Sequence, residues 1–103
     1  MAADVREFFE GVPGRVDRER IRGQRATYRF DITGAGSWHV ALDDGDVRVR
    51  ESGDPADCVV RADERTFLRI VRREQNPLTA YMTGRVKVEG DLSLLSRLRD
   101  ILG

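Results

Sequence analysis

Cysteine and histidine are almost absent from this sequence, which has one of each, Cys58 and His39. A single thiol cannot form an internal disulfide, and one thiol with one imidazole does not supply a recognisable zinc-binding set. We therefore expect a reduced protein with no metal site and no cofactor.

Long apolar runs are also missing. No stretch approaches the roughly 18 apolar residues that a membrane-spanning helix requires. The first residues, MAADVREFFEGV, mix acidic and basic side chains and lack the apolar core of a secretory signal. Residence in the cytoplasm is the expectation.

Neither sign of charge is in excess, because 18 basic and 18 acidic residues give a formal net charge of zero. A neutral chain has no global attraction to nucleic acid or to membranes, so we expect no nucleic-acid partner and only local charge effects. Arginines gather in residues 15–29 and 65–73. If these groups meet on one face, they provide a transient contact with an anionic membrane; solvated helix faces are the simpler explanation.

What the sequence does contain is typical of one globular domain. It has 103 residues, of which 40% are hydrophobic and 35% charged. This length buries enough surface to fold without disulfides. We predict a single domain over residues 1–103.

Alternating apolar and polar residues predict five strands. A meander of three strands begins at Ala26, with turns at residues 34–36 and 43–46. Residues 57–62 are more continuously apolar, which indicates a fourth strand inside the sheet. Residues 85–89 form the fifth strand, and Gly90 ends it. The apolar phase of the meander consists of Tyr28, Phe30, Ile32, Trp38, Val40, Leu42, Val47 and Val49.

Four helices are predicted from caps and apolar stripes. The first is capped by Asp4 and stopped at residues 13–14, and residues 15–25 remain open between a solvated helix and an extended connection. Asp63 caps an amphipathic helix, and Asn76 begins a short one that ends near Gly84. A final helix follows Asp91. The summed prediction is an α+β fold with a mostly antiparallel five-stranded sheet covered on one side by helices.

The second half of the chain carries an ordered pattern: DC, an amphipathic helix, then NPxxAxxxGxVxVxGDLxLL. The residues concerned are Asp57, Cys58, Asp63, Asn76, Pro77, Ala80, Gly84, Val86, Val88, Gly90, Asp91, Leu92 and Leu98. This pattern resembles the sterol carrier protein 2 (SCP2) family. The preceding strands fit the opening sheet of that family, so the resemblance extends over about residues 4–102.

Members of that family enclose an apolar, lipid-holding tunnel between a five-stranded sheet and its helices. The resemblance implies non-catalytic binding or transfer of a fatty acyl, sterol-like or isoprenoid lipid, in a tunnel closed by the C-terminal helix. It also implies which residues line the tunnel, and these are Phe67, Ile70, Val71, Leu78, Tyr81, Met82, Leu94, Leu95 and Leu98.

Other interpretations of the same residues stay open. The nine side chains are equally consistent with a core that packs only on itself. The stripe also fits a protein interaction or dimerisation module without ligand, so the chain is expected as a monomer or a homodimer. No catalytic residue is predicted, because His39 has no nucleophile or carboxylate placed beside it by local spacing.

Overall fold

The computed structural model describes residues 2–102, with side chains from residue 4 onward. Met1 and Gly103, the two ends of the predicted domain, lie outside the described residues. The elements in chain order are α1 (Ala2–Arg15), β1 (Arg25–Thr33), β2 (Gly36–Asp43), β3 (Asp46–Glu51), β4 (Cys58–Asp63), α2 (Glu64–Val71), α3 (Pro77–Met82), β5 (Lys87–Gly90), a 3₁₀ helix (Leu92–Arg97) and α4 (Arg99–Leu102).

The five strands form one sheet in the order β3-β2-β1-β4-β5. Strands β1 to β3 form an antiparallel meander, and β5 pairs antiparallel with β4 at the edge. The remaining pair, β1 with β4, is parallel. The α+β class, the mostly antiparallel sheet and the inner position of β4 are therefore confirmed.

The aspartate-rich stretch at residues 43–46 is the hairpin turn between β2 and β3. Asp44 and Gly45 both have positive φ angles, 47° and 95°. Two consecutive positive φ angles are typical of a type I′ turn, whose twist matches that of the flanking strands. The turn also holds the preceding connection, since the Asp44 carboxylate accepts a hydrogen bond of 2.7 Å from the Gly23 amide.

Helices cover one face of the sheet because every second residue of β1 is a large apolar side chain on that face. Tyr28, Phe30 and Ile32 are all buried there. Phe9 of α1 stacks on Trp38 of β2 at 5.0 Å between ring centroids and on Phe67 of α2 at 5.3 Å. Aromatic rings bury the most area per side chain, so this cluster fixes α1 and α2 on the sheet.

The opposite face of the sheet is polar, and Asp31 links three of the strands on that face by hydrogen bonds. Its carboxylate accepts hydrogen bonds from Arg29 (3.0 Å), Ser37 (2.8 Å) and Arg61 (3.2 Å). Burial alone would raise the pKa of Asp31, but these three hydrogen bonds outweigh it and lower that pKa. His39 also lies on this face, buried beneath the connection to β4, with Nε2 3.3 Å from the Pro55 carbonyl oxygen.

The predicted bounds of the first helix are wrong at both ends. Asp4 lies inside the first turn of α1, and the helix continues through Pro13 to Arg15. Proline is tolerated so close to the end because its ring removes only one hydrogen bond there. The Arg15 guanidinium donates a hydrogen bond of 2.8 Å to the Phe8 carbonyl oxygen and supports this last turn. The open segment that follows contains turns and neither of the two elements considered.

The predicted C-terminal α-helix is mostly a 3₁₀ helix, followed by the single turn of α4. A 3₁₀ helix has three residues per turn, so side chains three positions apart share one line. Leu92 and Leu95 have this spacing, but only Leu95 is buried together with Leu94, while Leu92 is half exposed. Leu98 and Ile101, which are also buried, lie beyond the 3₁₀ helix.

Candidate lipid-binding site

Seven of the nine predicted lining residues belong to one apolar cluster or pack against it. Five are buried, two are half-buried (Val71 and Tyr81) and two are exposed (Leu78 and Met82). The buried five are Phe67 and Ile70 of α2 with Leu94, Leu95 and Leu98 of the C-terminal segment. The structure therefore buries α2 and the C-terminal segment in one shared core and leaves most of the apolar surface of α3 outside it.

The exposed large hydrophobic side chains among residues 4–102 all occur within one segment. They are Leu78 and Met82, with 56% and 76% of their surface exposed, and Leu92 with 50%. Single exposed apolar residues are common, whereas several in one segment indicate a binding surface. This segment is the outer layer of the candidate site.

Helix α3 is fixed at its ends and by one small side chain. The Asn76 side chain caps it by accepting hydrogen bonds from the amides of Leu78 (2.8 Å) and Thr79 (3.1 Å). Gly84, with a φ of 80°, follows its C-terminus, which confirms the predicted helix stop. Ala80 is its buried residue. Little buried apolar surface is typical of elements that open at a low free-energy cost.

Tyr28 is a site residue that the sequence assigned only to the apolar phase of a strand. Its hydroxyl is buried and donates a hydrogen bond of 3.0 Å to the Leu94 carbonyl oxygen, joining β1 to the 3₁₀ helix. Burial raises the pKa of Tyr28 far above its usual value, so the hydroxyl stays a donor. A signal was present in the sequence, because a buried tyrosine needs a partner for its hydroxyl.

Asp57, Gly90 and Asp91, all part of the recognised motif, form a backbone clamp. Asp57 and Thr27 exchange two hydrogen bonds of 2.9 Å, from the Asp57 amide to Thr27 Oγ1 and from the Thr27 amide to the Asp57 carboxylate. The Asp57 carbonyl oxygen then accepts a hydrogen bond of 2.8 Å from the Asp91 amide. The clamp ties the start of the C-terminal segment to β1 and β4, so these motif residues act by positioning.

Two surface clefts are present, and none of the nine predicted residues lines either of them. One, of about 430 Å³, runs along α2 between Arg65, Arg69 and Arg72. The other, of about 400 Å³, follows the turn between β1 and β2. The space between α1, α2 and the sheet is occupied by the stacked rings of Phe9, Trp38 and Phe67. The lipid tunnel itself stays a prediction.

Replacing Tyr28 by phenylalanine is expected to lower the free energy of unfolding by about 1 to 2 kcal/mol, because the Leu94 carbonyl loses a buried partner. Amide hydrogen exchange should accelerate most in residues 92–102. Tyr81→Phe is the matched control, since among the described residues the Tyr81 hydroxyl has no hydrogen-bond partner. Equal exchange rates in the two variants would show that the hydroxyl does not hold the C-terminal segment.

An open sheet with one apolar face, covered by helices whose outer segment exposes apolar side chains, defines a small α+β domain. The model of the SCP-2 sterol transfer family matches residues 7–103, and the chain belongs to that family. The recognition made from the motif is confirmed.

Similar proteins include both larger enzymes and free-standing carriers. Hydroxysteroid dehydrogenase-like protein 2 of Xenopus laevis is 30% identical over 99% of this chain, which spans 25% of the relative's length. The sec-alkylsulfatase Pisa1 of Pseudomonas sp. has a TM-score of 0.81 at 25% identity, over 91% of this chain and 15% of that structure. Sterol carrier protein 2 of Yarrowia lipolytica has a TM-score of 0.72 at 22% identity, over 92% and 83% of the two chains.

The chain thus spans about a quarter of the length of the curated relatives it matches. Within residues 2–102, none of the helices has the length and apolar character that are needed to cross a bilayer.

Proposed function

We propose that this domain binds one apolar lipid reversibly and without catalysis, beneath α3 and the C-terminal segment. The observation that carries the proposal is that Leu78, Met82 and Leu92 are exposed in the same stretch of chain whose other apolar side chains, among them Ala80, Leu94 and Leu95, are buried. A ligand that covers the exposed side chains removes them from water. The names of the similar proteins refer to sterols, steroids and alkyl sulfates, which share a large apolar carbon skeleton.

The energetics favour a ligand without any catalytic group. Burying a chain contributes about 0.8 kcal/mol per methylene, so ten methylenes supply roughly 8 kcal/mol before entropic costs. The flexible side chains of Met82 and the leucines can repack around acyl, sterol-like or isoprenoid shapes. The proposal keeps the cytoplasmic location and the absence of a nucleic-acid partner that the sequence predicts.

Entry of the ligand requires the outer layer to move. We infer that α3 swings first, because it has a single buried residue, while the 3₁₀ helix is held by Tyr28 and by the Asp57 clamp. The C-terminal segment then serves as the closed wall of the site. This order differs from a tunnel that opens only at the C-terminus.

Protein purified without detergent should carry lipid in native mass spectrometry, or take up a fluorescent fatty acid that a natural lipid displaces. Val71→Ser is expected to weaken the binding of the fluorescent fatty acid about tenfold, because the substitution removes apolar contact and adds a hydroxyl group. Val49→Ser is the matched control, since Val49 is also half-buried but lies on β3. If the protein binds none of the acyl, sterol and isoprenoid ligands, the proposal fails.

A second candidate function is docking onto another protein domain. Two observations favour it: this chain matches only about a quarter of the length of its relatives, and Leu78 and Met82 are exposed. Sedimentation of the ligand-free protein separates the two functions. A stable dimer that buries Met82 and takes up no lipid would support docking.

A further inference from the structure

Gln24 ends the connection between α1 and β1, and its backbone is held on both sides. Its amide donates a hydrogen bond of 3.0 Å to the Ile21 carbonyl oxygen, and its own carbonyl oxygen accepts one of 2.9 Å from the Asp44 amide. Ile21 and Ala26, which flank it in the chain, are buried members of the apolar core. Gln24 is therefore fixed at the rim of that core.

The side chain of Gln24 joins this connection to the C-terminal segment. Its Nε2 donates hydrogen bonds to the Arg20 carbonyl oxygen (2.8 Å) and to the Asp100 carboxylate (3.2 Å). Asp100 lies in α4 between Leu98 and Ile101, and both of these side chains are buried in the same core. The amide group of Gln24 thus lies beside the segment that supplies three of the predicted lining residues.

The other atom of this amide group, Oε1, is buried and accepts no hydrogen bond from any residue in the range 4–102. Its orientation is fixed by chemistry. Exchanging the oxygen and the nitrogen would turn the oxygen toward two acceptors and lose both hydrogen bonds of Nε2. A buried carbonyl oxygen without a donor is costly and uncommon in folded proteins, so this atom requires a partner from outside the chain.

The groups around Oε1 decide what kind of partner fits. The Arg20 carbonyl and the Asp100 carboxylate are both acceptors, and they already use the two N–H groups of Gln24. Arg97 and Arg99, the arginines closest to Asp100 in the sequence, are exposed and do not donate to Oε1. The missing partner must therefore bring its own O–H or N–H. An ionised carboxylate brings only acceptors, together with a negative charge.

We propose that Gln24 Oε1 is the polar anchor for a lipid with a free hydroxyl group, whose apolar part lies against the buried wall of Leu94, Leu95 and Leu98. This assignment rests on the proposed lipid binding and adds the class of head group. Long-chain alcohols and sterols share this chemistry. The hydroxyl donates its hydrogen to the buried oxygen that no described protein group satisfies.

A series of ligands with one chain and different head groups tests the anchor in the unaltered protein. Hexadecanol, its methyl ether and palmitate each displace a fluorescent fatty alcohol, and their dissociation constants are compared. Hexadecanol should bind about fivefold to tenfold more tightly than the ether, which lacks the donor. Palmitate should bind more weakly than the ether, because its charge leaves water without gaining a donor. Cholesterol and its methyl ether, compared in the same way, distinguish a sterol from a chain alcohol.

The variant Gln24→Met removes Oε1 and keeps the length of the side chain. The preference for hexadecanol over its ether should fall to about onefold in this variant. Gln24→Met also loses the bond to Asp100, so Asp100→Ala is the matched control, which breaks the same bond and leaves Oε1 in place. Asp100→Ala and the distant Gln75→Met should both keep the preference.

Two results would overturn the anchor and leave the proposed function intact. One is equal binding of hexadecanol and its ether to the unaltered protein, as expected if only water meets Oε1. The other is loss of the preference in Asp100→Ala, which would show that Gln24 acts only by holding α4. Binding of none of these lipids would overturn both the anchor and the proposed function. The comparison of ligands in the unaltered protein decides the matter if Gln24→Met does not fold.

Discussion

Replacing Gly90 by alanine is expected to lower the free energy of unfolding by about 2 to 5 kcal/mol. Gly90 has a φ of 88°, which side-chain-bearing residues adopt only at a cost of about 1 to 2 kcal/mol. An added Cβ would also collide with the Asp57 carbonyl oxygen, a backbone atom that the clamp holds in place. Urea unfolding, with its midpoint and slope compared between variants, measures the loss.

Gly84→Ala separates the two costs. Gly84 has nearly the same backbone angle, a φ of 80°, but an added Cβ there would meet no atom within 4 Å. This variant should lose only about 1 to 2 kcal/mol from backbone strain. A loss at Gly90 no greater than the loss at Gly84 would show that the Asp57 carbonyl moves freely, and that the clamp does not position the C-terminal segment.

Replacing Phe67 by alanine is expected to cost about 3 to 5 kcal/mol, the usual range for a buried phenylalanine. Its ring lies at the centre of the aromatic cluster, 5.3 Å from Phe9 and 6.2 Å from Phe30 between ring centroids. Because Phe67 is also a proposed lining residue, the cavity left behind should accept an acyl chain. Fatty acid at a hundred times its Kd would then restore about 2.7 kcal/mol of stability.

Phe8→Ala is the control for this experiment. Phe8 contacts the same ring, at 5.5 Å from Phe67, but it is only half-buried. A partly exposed side chain leaves a smaller cavity, so we expect a loss of about 1 to 2 kcal/mol and no extra stabilisation by fatty acid. If fatty acid stabilises both variants equally, Phe67 does not line the lipid site.

Local signals in the sequence predicted most of the secondary structure correctly. The alternation around Phe30 and Val40 identifies strands, because one face of the sheet is dry and the other is wet. Asp63 and Asn76 were predicted as helix caps, and both accept hydrogen bonds from the helix amides that follow. These features depend on residues no more than about four positions apart, so they can be predicted directly from the sequence.

The predictions were wrong where contacts between residues far apart in the sequence determine the local structure. Pro13 suggested a helix stop, but the chain stays wound past that point, where Val16 is buried and its amide donates a hydrogen bond of 3.0 Å to the Val12 carbonyl oxygen. The leucines after Asp91 suggested an α-helix, but residues 92–97 form a 3₁₀ helix and only the short α4 that follows is α-helical. Leu78 and Met82 were placed on a wall with the other leucines, yet they point outward.

The sequence by itself determined the strands, the caps, the glycine stops and the family, because each is recorded in residue order and spacing. Only the tertiary structure decided that Tyr28 binds the Leu94 carbonyl across 66 residues and that Asp57 clamps Asp91. These relations depend on which elements become neighbours when the apolar face is buried, and that is a property of the whole packed chain.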